Sequence, residues 1–248
     1  VCSSDLKLQQ IDTLLGELNQ YRANENYRIT EALEIEYTYD SNRIEGNTLT
    51  LHETDMVVNK GITIAGKGLR EHLEAINHKE AIDFIKDVAQ KKEPISERVL
   101  LDIHAIVLHS IDKDNAGKYR RVPVIISGSK HIPPQPYLLQ PKMDELFQWY
   151  EANKDSMHPV VLAAQMHEKL VSVHPFIDGN GRTARLVMNL ILMQHGYPIA
   201  NIKGDNETRR RYYETLEEAS SGDNSAFVEF IEDVVIQSLT YYLKIIRG

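Results

Sequence analysis

The chain has 248 residues and a net charge of −8, with 42% hydrophobic and 26% charged residues, proportions ordinary for a globular protein. The acidic balance argues against nonspecific binding to nucleic acid or to an anionic membrane, because phosphate surfaces select basic partners. One cysteine, Cys2, excludes an intrachain disulfide framework and a cysteine-ligated zinc site, and no apolar run reaches the ~20 residues that span a bilayer.

The N-terminal stretch lacks a basic region followed by an apolar core, so a cytoplasmic location is the expectation. Leu8, Ile11, Leu14, Leu15 and Leu18 recur at helical spacing and predict a first helix from Leu6 to Tyr21. Thr30 is placed to cap a second helix that leads into Ser41 and Glu45. Thr50 and Glu53 form a capping-box pattern for a short helix to Asn59. Gly61, Gly66 and Gly68 then punctuate a loop before an amphipathic helix over 69–91. Ser96 caps another, with Val99, Leu100, Ile103, Ile106 and Val107 as its apolar stripe. From Arg121 to Leu139 the composition turns to β-branched residues, glycine and proline, which predicts a β-hairpin with an exposed edge. Helical periodicity resumes at Pro141, at Pro159, after Gly179, near Thr208 and from Phe227 to Ile246. No repeat, linker or composition shift divides the chain. The expectation is one all-α domain over 1–248, with N-terminal helices over 1–60, a core over about 69–248 and a single β-hairpin flap near 121–139.

The run His174-Pro175-Phe176-Ile177-Asp178-Gly179-Asn180-Gly181-Arg182-Thr183-Ala184-Arg185 concentrates the chemistry. Glycines on both sides of Asn180 permit positive φ and let backbone N–H groups converge on an anion. The apolar run after Arg185 implies a buried helix starting here, whose N-terminus adds free donors and a partial positive charge. Arg182 and Arg185 are three apart, on one helical face, and two forked guanidiniums there suit adjacent phosphates. Asp178 is placed to hold Mg²⁺, since that ion takes one or two carboxylates plus phosphate oxygens. His174, stiffened by Pro175 and anchored by Phe176, is a candidate general base.

A second run, Ser41-Asn42-Arg43-Ile44-Glu45-Gly46, puts Ser41 and Glu45 on one helix face and ends that helix at Gly46. A carboxylate at a helix C-terminus opposes the dipole, which points to a compensating partner elsewhere. His167-Glu168 is not a zinc-protease motif, because Val171 stands where the second histidine would be. His104 and His109 are five apart and do not share a helix face. An exposed strand edge over 124–134 would let an extended peptide pair with it.

The twelve-residue run resembles the signature of the Fic family, His-Pro-Phe-x-Asp/Glu-Gly-Asn-Gly-Arg-x-x-Arg, at every specified position. Gly117-Lys118-Tyr119-Arg120, Tyr212-Tyr213 and Gly222-Asp223 extend the resemblance. It implies a Fic-type helical bundle and AMPylation, the transfer of AMP from ATP to a Ser, Thr or Tyr hydroxyl of a target protein. On it, His174 is the base and Asp178 holds Mg²⁺. Gly179, Asn180 and Gly181 form the anion hole, while Arg182 and Arg185 grip the β- and γ-phosphates. Relatives that phosphorylate instead look like Ala-Asn-Lys where this chain has Gly179-Asn180-Gly181, so Gly179 favours AMP. The stretch from Ser41 to Gly46 resembles the family's inhibitory motif, Ser/Thr-x-x-x-Glu-Gly/Asn, implying that Glu45 pairs with Arg185 and blocks the γ-phosphate site. Ile125 and Ile126 become candidates to clamp the target residue, and Asn206, Tyr212 and Tyr213 to meet the nucleotide base. The partners implied are a target protein with an accessible hydroxyl and a second copy of the chain. Removal of AMP assisted by Glu45, another nucleotide donor, and a nonenzymatic regulatory or toxin–antitoxin-type module are the alternatives.

Overall fold

Helices form where the apolar period and a capping residue coincide. Ten occur among the residues that the computed structural model describes, 3–247: α1 (Ser3–Tyr21), α2 (Tyr27–Ile44), α3 (Leu51–Lys60), α4 (Leu69–Gln90), α5 (Glu97–Val107), α6 (Leu139–Asn153), α7 (Pro159–Val173), α8 (Asn180–Gln194), α9 (Asn206–Ser220) and α10 (Ser225–Arg247). Cys2 lies outside the described residues. Thr50 and Glu53 form the capping box of α3, and Ser96 caps α5 by accepting from Val99 N–H. Helix α2 starts before Thr30 because Asn26 is the cap, its side chain accepting from the N–H groups of Arg28 and Ile29. Likewise α6 starts at Leu139, with Pro141 inside its first turn, where a missing N–H is tolerated.

Helix α8 is the axis of the fold. Its residues from Arg182 to Leu192 are all buried, and α7, α4, α5 and α2 pack around it. A helix buried all round needs an apolar sequence all round, and α8 departs from that at Arg182, Arg185 and Asn189. The Asn189 amide is satisfied by Ala200, donating to its carbonyl at 3.1 Å and accepting from its N–H at 2.8 Å. Arg185 is met by Ser41, Glu45 and Tyr212, whereas Nε and Nη1 of Arg182 have no hydrogen-bond partner. Helix α1 packs on α10, joined by Lys7 to Glu229 and Asp233. One apolar cluster runs from Ile11 to Ile246, with a small second one of Leu49, Val57 and Ala75. Among the described residues no helix is long and apolar enough to cross a membrane.

The expected hairpin over 121–139 is not formed, and no strand occurs among the described residues. Pro123, Pro133 and Pro134 lack the N–H groups a ladder requires. The segment is instead an irregular loop with a turn at 127–128, tied down by side chains. Arg120 donates to Val122 O at 3.0 Å on one leg and to Pro134 O at 2.6 Å on the other. At the tip, Glu217 of α9 accepts from the Ser129 hydroxyl and from Lys130 N–H.

Helix α2 is seated from two sides. Asp40 accepts from Gly204 N–H at 2.9 Å, Asn201 Nδ2 at 2.7 Å and Lys203 Nζ at 3.2 Å. Opposite, Asn42 Nδ2 donates to Glu74 O of α4 at 3.2 Å. Contact at Gly204 is close: a Cβ there would stand 2.8 Å from Asp40 O and 2.9 Å from Arg43 Cβ.

Candidate active site

Helix α7 ends on His174, a non-glycine residue in the left-handed region with φ 49 and ψ 57. Such a conformation costs of order 1–3 kcal/mol and persists only where neighbours dictate it. Here His174 N–H donates to Leu170 O at 3.0 Å, and His174 O accepts from Arg120 Nε at 2.8 Å. The imidazole Nδ1 lies 3.3 Å from Val171 O. A carbonyl only accepts, so Nδ1 carries the proton and Nε2 keeps its lone pair. Burial, aided by the Arg120 charge, lowers the His174 pKa below its ordinary value.

The turn that follows is built from within. Phe176 is fully buried and stacks on His104, ring centroids 3.6 Å apart. The Asn180 amide closes the loop, accepting from Phe176 N–H at 3.0 Å and donating to Phe176 O at 2.9 Å. Only the Asn180 backbone is therefore left for an anion. Gly179, at φ 77, is the N-cap of α8 and offers no side-chain cap, so the first-turn N–H groups are free to meet a ligand. His104 was not singled out by its spacing, yet it supports this turn. Its Nδ1 accepts from Gly117 N–H at 3.0 Å, so Nε2–H donates to Asp178 O, also at 3.0 Å. Burial pushes its pKa down to about 4.

Asp178 Oδ1 accepts from Gly179 N–H at 2.6 Å and lies 3.4 Å from Arg182 Nη2, while Oδ2 pairs with Arg70 of α4. Burial alone would favour protonation, but Arg182, the Gly179 N–H and Arg70 hold the carboxyl below the usual range. Its side chain is 41% exposed. No group of three His, Cys, Asp or Glu able to hold a metal exists among the described residues. A single reachable carboxylate fits Mg²⁺ that brings phosphate and water as its other ligands, not a cation caged by protein alone.

The arginines differ in what they meet. Arg185 donates from Nε to Ser41 Oγ at 3.0 Å and from Nη2 to Ser41 O at 2.9 Å and Glu45 Oε1 at 2.7 Å. Its Nη1 is 3.4 Å from the Tyr212 hydroxyl, which lies 3.1 Å from His167 Nε2. Burial would lower its pKa, but Glu45 together with Tyr212 and Tyr37 raises it. A Cβ built on Gly181 would collide with Glu45 Oε1, so this carboxylate lies directly against the first turn of α8. Arg182 is equally enclosed, yet its Nε and Nη1 have no hydrogen-bond partner, and Glu74 Oε1 stands off at 3.6 Å.

A cavity of about 640 Å³ opens beside Glu45 and Gly181, lined also by Ile126, His174, Arg209, Tyr212 and Tyr213. Arg182, Arg185 and Asp178 are not in its lining. Ile125 is 90% exposed, outside it. Tyr213 donates to Ile44 O at 3.3 Å and carries Arg209 over its ring. Tyr212 is buried beneath Arg185, and Asn206 opens α9 without lining the cavity. The fold thus gathers His174, the Gly179–Gly181 turn, Glu45, Arg185, Ile126, Tyr212 and Tyr213, and leaves Ile125 and Asn206 aside.

Residues 94–192 match the model of the Fic/DOC family. The chain is 40% identical over 211 residues to the protein adenylyltransferase Fic of Culex quinquefasciatus, covering 84% of this chain and 41% of that protein. It therefore spans less than half the length of that curated relative. Among solved structures, a variant fragment of Fic-1 from C. elegans superposes with a TM-score of 0.86 at 32% identity, covering 97% of this chain and 72% of the other. A Fic domain containing signaling protein from Bacteroides thetaiotaomicron gives a TM-score of 0.86 at 28% identity, covering 98% and 97%.

Proposed function

This chain belongs to the Fic/DOC family, and from that premise we propose that it transfers AMP from ATP to a hydroxyl of a target protein, restrained by its own Glu45. The observation that carries the proposal is an anion site already holding an anion. Glu45 Oε1 sits on Arg185 and against Gly181, at the N-terminus of a buried helix. Two arginines on such a helix are unfavourable to bury unless a charged ligand meets them.

In the reaction, the free N–H groups after Gly179 bind the phosphate chain, and Arg182 and Arg185 neutralise its far end. Arg182 supplies the unpartnered donors, and Arg185 becomes available once Glu45 leaves. Asp178 is the residue that would hold Mg²⁺, which neutralises phosphate charge when bound. His174 Nε2 takes the proton from the incoming hydroxyl, its Nδ1–H fixed on Val171 O. The hydroxyl oxygen bonds to the α-phosphorus as the α–β phosphoanhydride bond breaks, and the β- and γ-phosphates leave as pyrophosphate. Ile126 and the loop around it border the entry for the target. Phosphoryl-type transfer asks mainly for such positioning and charge neutralisation.

Three proteins incubated with ATP and Mg²⁺ test this: wild type, Glu45→Gly, and Glu45→Gly combined with His174→Ala. Mass spectrometry is expected to find AMP on the chain or on lysate proteins with Glu45→Gly and far less with the other two. A silent Glu45→Gly would defeat the enzymatic reading, and an active double variant would defeat His174 as base.

A further inference from the structure

Among the described residues, Arg120 is a buried charge with no anionic partner. Arg120 is 3% exposed, and burial lowers its hold on its proton. Its three donor arms all go to backbone carbonyls: Nε to His174 O at 2.8 Å, Nη1 to Val122 O at 3.0 Å and Nη2 to Pro134 O at 2.6 Å. Its own N–H donates to Pro175 O at 2.9 Å. A guanidinium without a counter-charge is unfavourable inside a protein, so a fork of this shape points to a geometric task that lysine could not perform.

What the fork joins defines the task. Val122 and Pro134 are the two legs of the loop that brings Ile126 to the cavity wall, and His174 is the strained residue lining the same cavity. We propose that Arg120 is a positioning residue for AMP transfer, setting the left-handed His174 and the 121–134 loop in one register so that base and presented hydroxyl meet. This rests on His174 acting as the base. His174 is also faced by Glu45, which raises its pKa, and by His131, which lowers it together with Arg120.

Arg120→Lys and Arg120→Gln, each in the Glu45→Gly chain, are compared in self-modification with ATP and Mg²⁺, in ATP calorimetry and in thermal unfolding. The kcat is expected to fall on the order of 10²-fold, the penalty of ångström-scale misplacement, while KM for ATP and the calorimetric affinity stay with the parent. The acid limb of the rate profile stays in place for Arg120→Lys and moves to higher pH for Arg120→Gln, which removes the charge. An undiminished kcat, or affinity falling in step with kcat, overturns the proposal. So does loss of the cooperative thermal transition in both variants, which would make Arg120 merely structural. Wild-type and Arg120→Lys chains are also compared without turnover, by NMR of the His174 ring and amide exchange over 121–134. Arg120→Lys must disturb both regions together, and a change confined to one refutes the coupling. A Glu45→Gly parent that transfers no AMP defeats the function instead, and the NMR comparison still judges Arg120.

Discussion

Arg182 and Arg185 are three residues apart on one helix, 2% and 1% exposed, and the molecule treats them oppositely. Around Arg185, α2 and α9 close in and supply Ser41, Glu45 and Tyr212. Around Arg182 the neighbours come from α4 and the turn: Glu74 at 3.6 Å and Asp178 at 3.4 Å, both shared with Arg70, which is 59% exposed. A carboxylate divided between two cations near solvent holds each weakly, whereas a desolvated pair with several bonds is held firmly. The two ends of the turn therefore differ: the Arg185 end is filled by protein and the Arg182 end is under-satisfied, so on the proposed function a ligand would displace protein at one corner only.

Stability measurements should show the widest gap between the corners. Arg185→Met strands Glu45, Ser41 O and the Tyr212 hydroxyl. Its loss in urea unfolding is expected at the lower end of about 3–5 kcal/mol, because Glu45 is 32% exposed and can be partly hydrated. Arg182→Met removes two unsatisfied donors and one weak pairing with Asp178 that Arg70 also serves, so its loss should stay under about 1 kcal/mol. Equal losses would erase the distinction. Next in size is the response to ATP. Glu45→Gly should tighten calorimetric affinity by roughly 5- to 150-fold, the span of ordinary coupling energies, whereas Glu74→Gln should change it far less. An equal effect from both would place the obstruction across the whole cradle.

The smallest effect is a pH slope to which both corners contribute. His104 supports the Asp178 turn and His167 meets Tyr212 under Arg185. Burial pushes them down to about 4 and about 3 respectively. Below about pH 6.5 the unfolded chain binds these protons and the folded chain does not, so stability falls on acidification toward the folded values. Each histidine contributes at most about 1.4 kcal/mol per pH unit. His104→Asn and His167→Asn should each flatten the slope measured between about pH 7 and pH 5. A slope that neither variant alters would show that these histidines do not carry it.

The helices were legible because period and cap are local properties: Thr50, Ser96 and the run after Gly179 sit where the reading of the chain put them. The signature was legible for the same reason, its chemistry being packed into twelve consecutive residues. The hairpin misled because Val122 to Ile126 has a strand's side chains, while three prolines remove the donors that would pair it. Contacts across the sequence were less visible. Arg120 and His174 are 54 apart, and nothing near Arg120 announces its three carbonyl acceptors. Glu45 and Arg185 are 140 apart, and only the family resemblance linked them. The spacing of His104 and His109 gave neither a role, and His104 works singly, through Phe176 and Asp178.

Gly204 leaves no clearance beneath α2. A single methyl group added there would stand 2.8 Å from Asp40 O and 2.9 Å from Arg43 Cβ, closer than side-chain carbons approach, so an alanine at this position would act as a doorstop. Helix and loop could not then both keep their places. Because Glu45 caps that same helix, the close fit at Gly204 belongs to the seat of the helix whose end carries the carboxylate lying against Gly181.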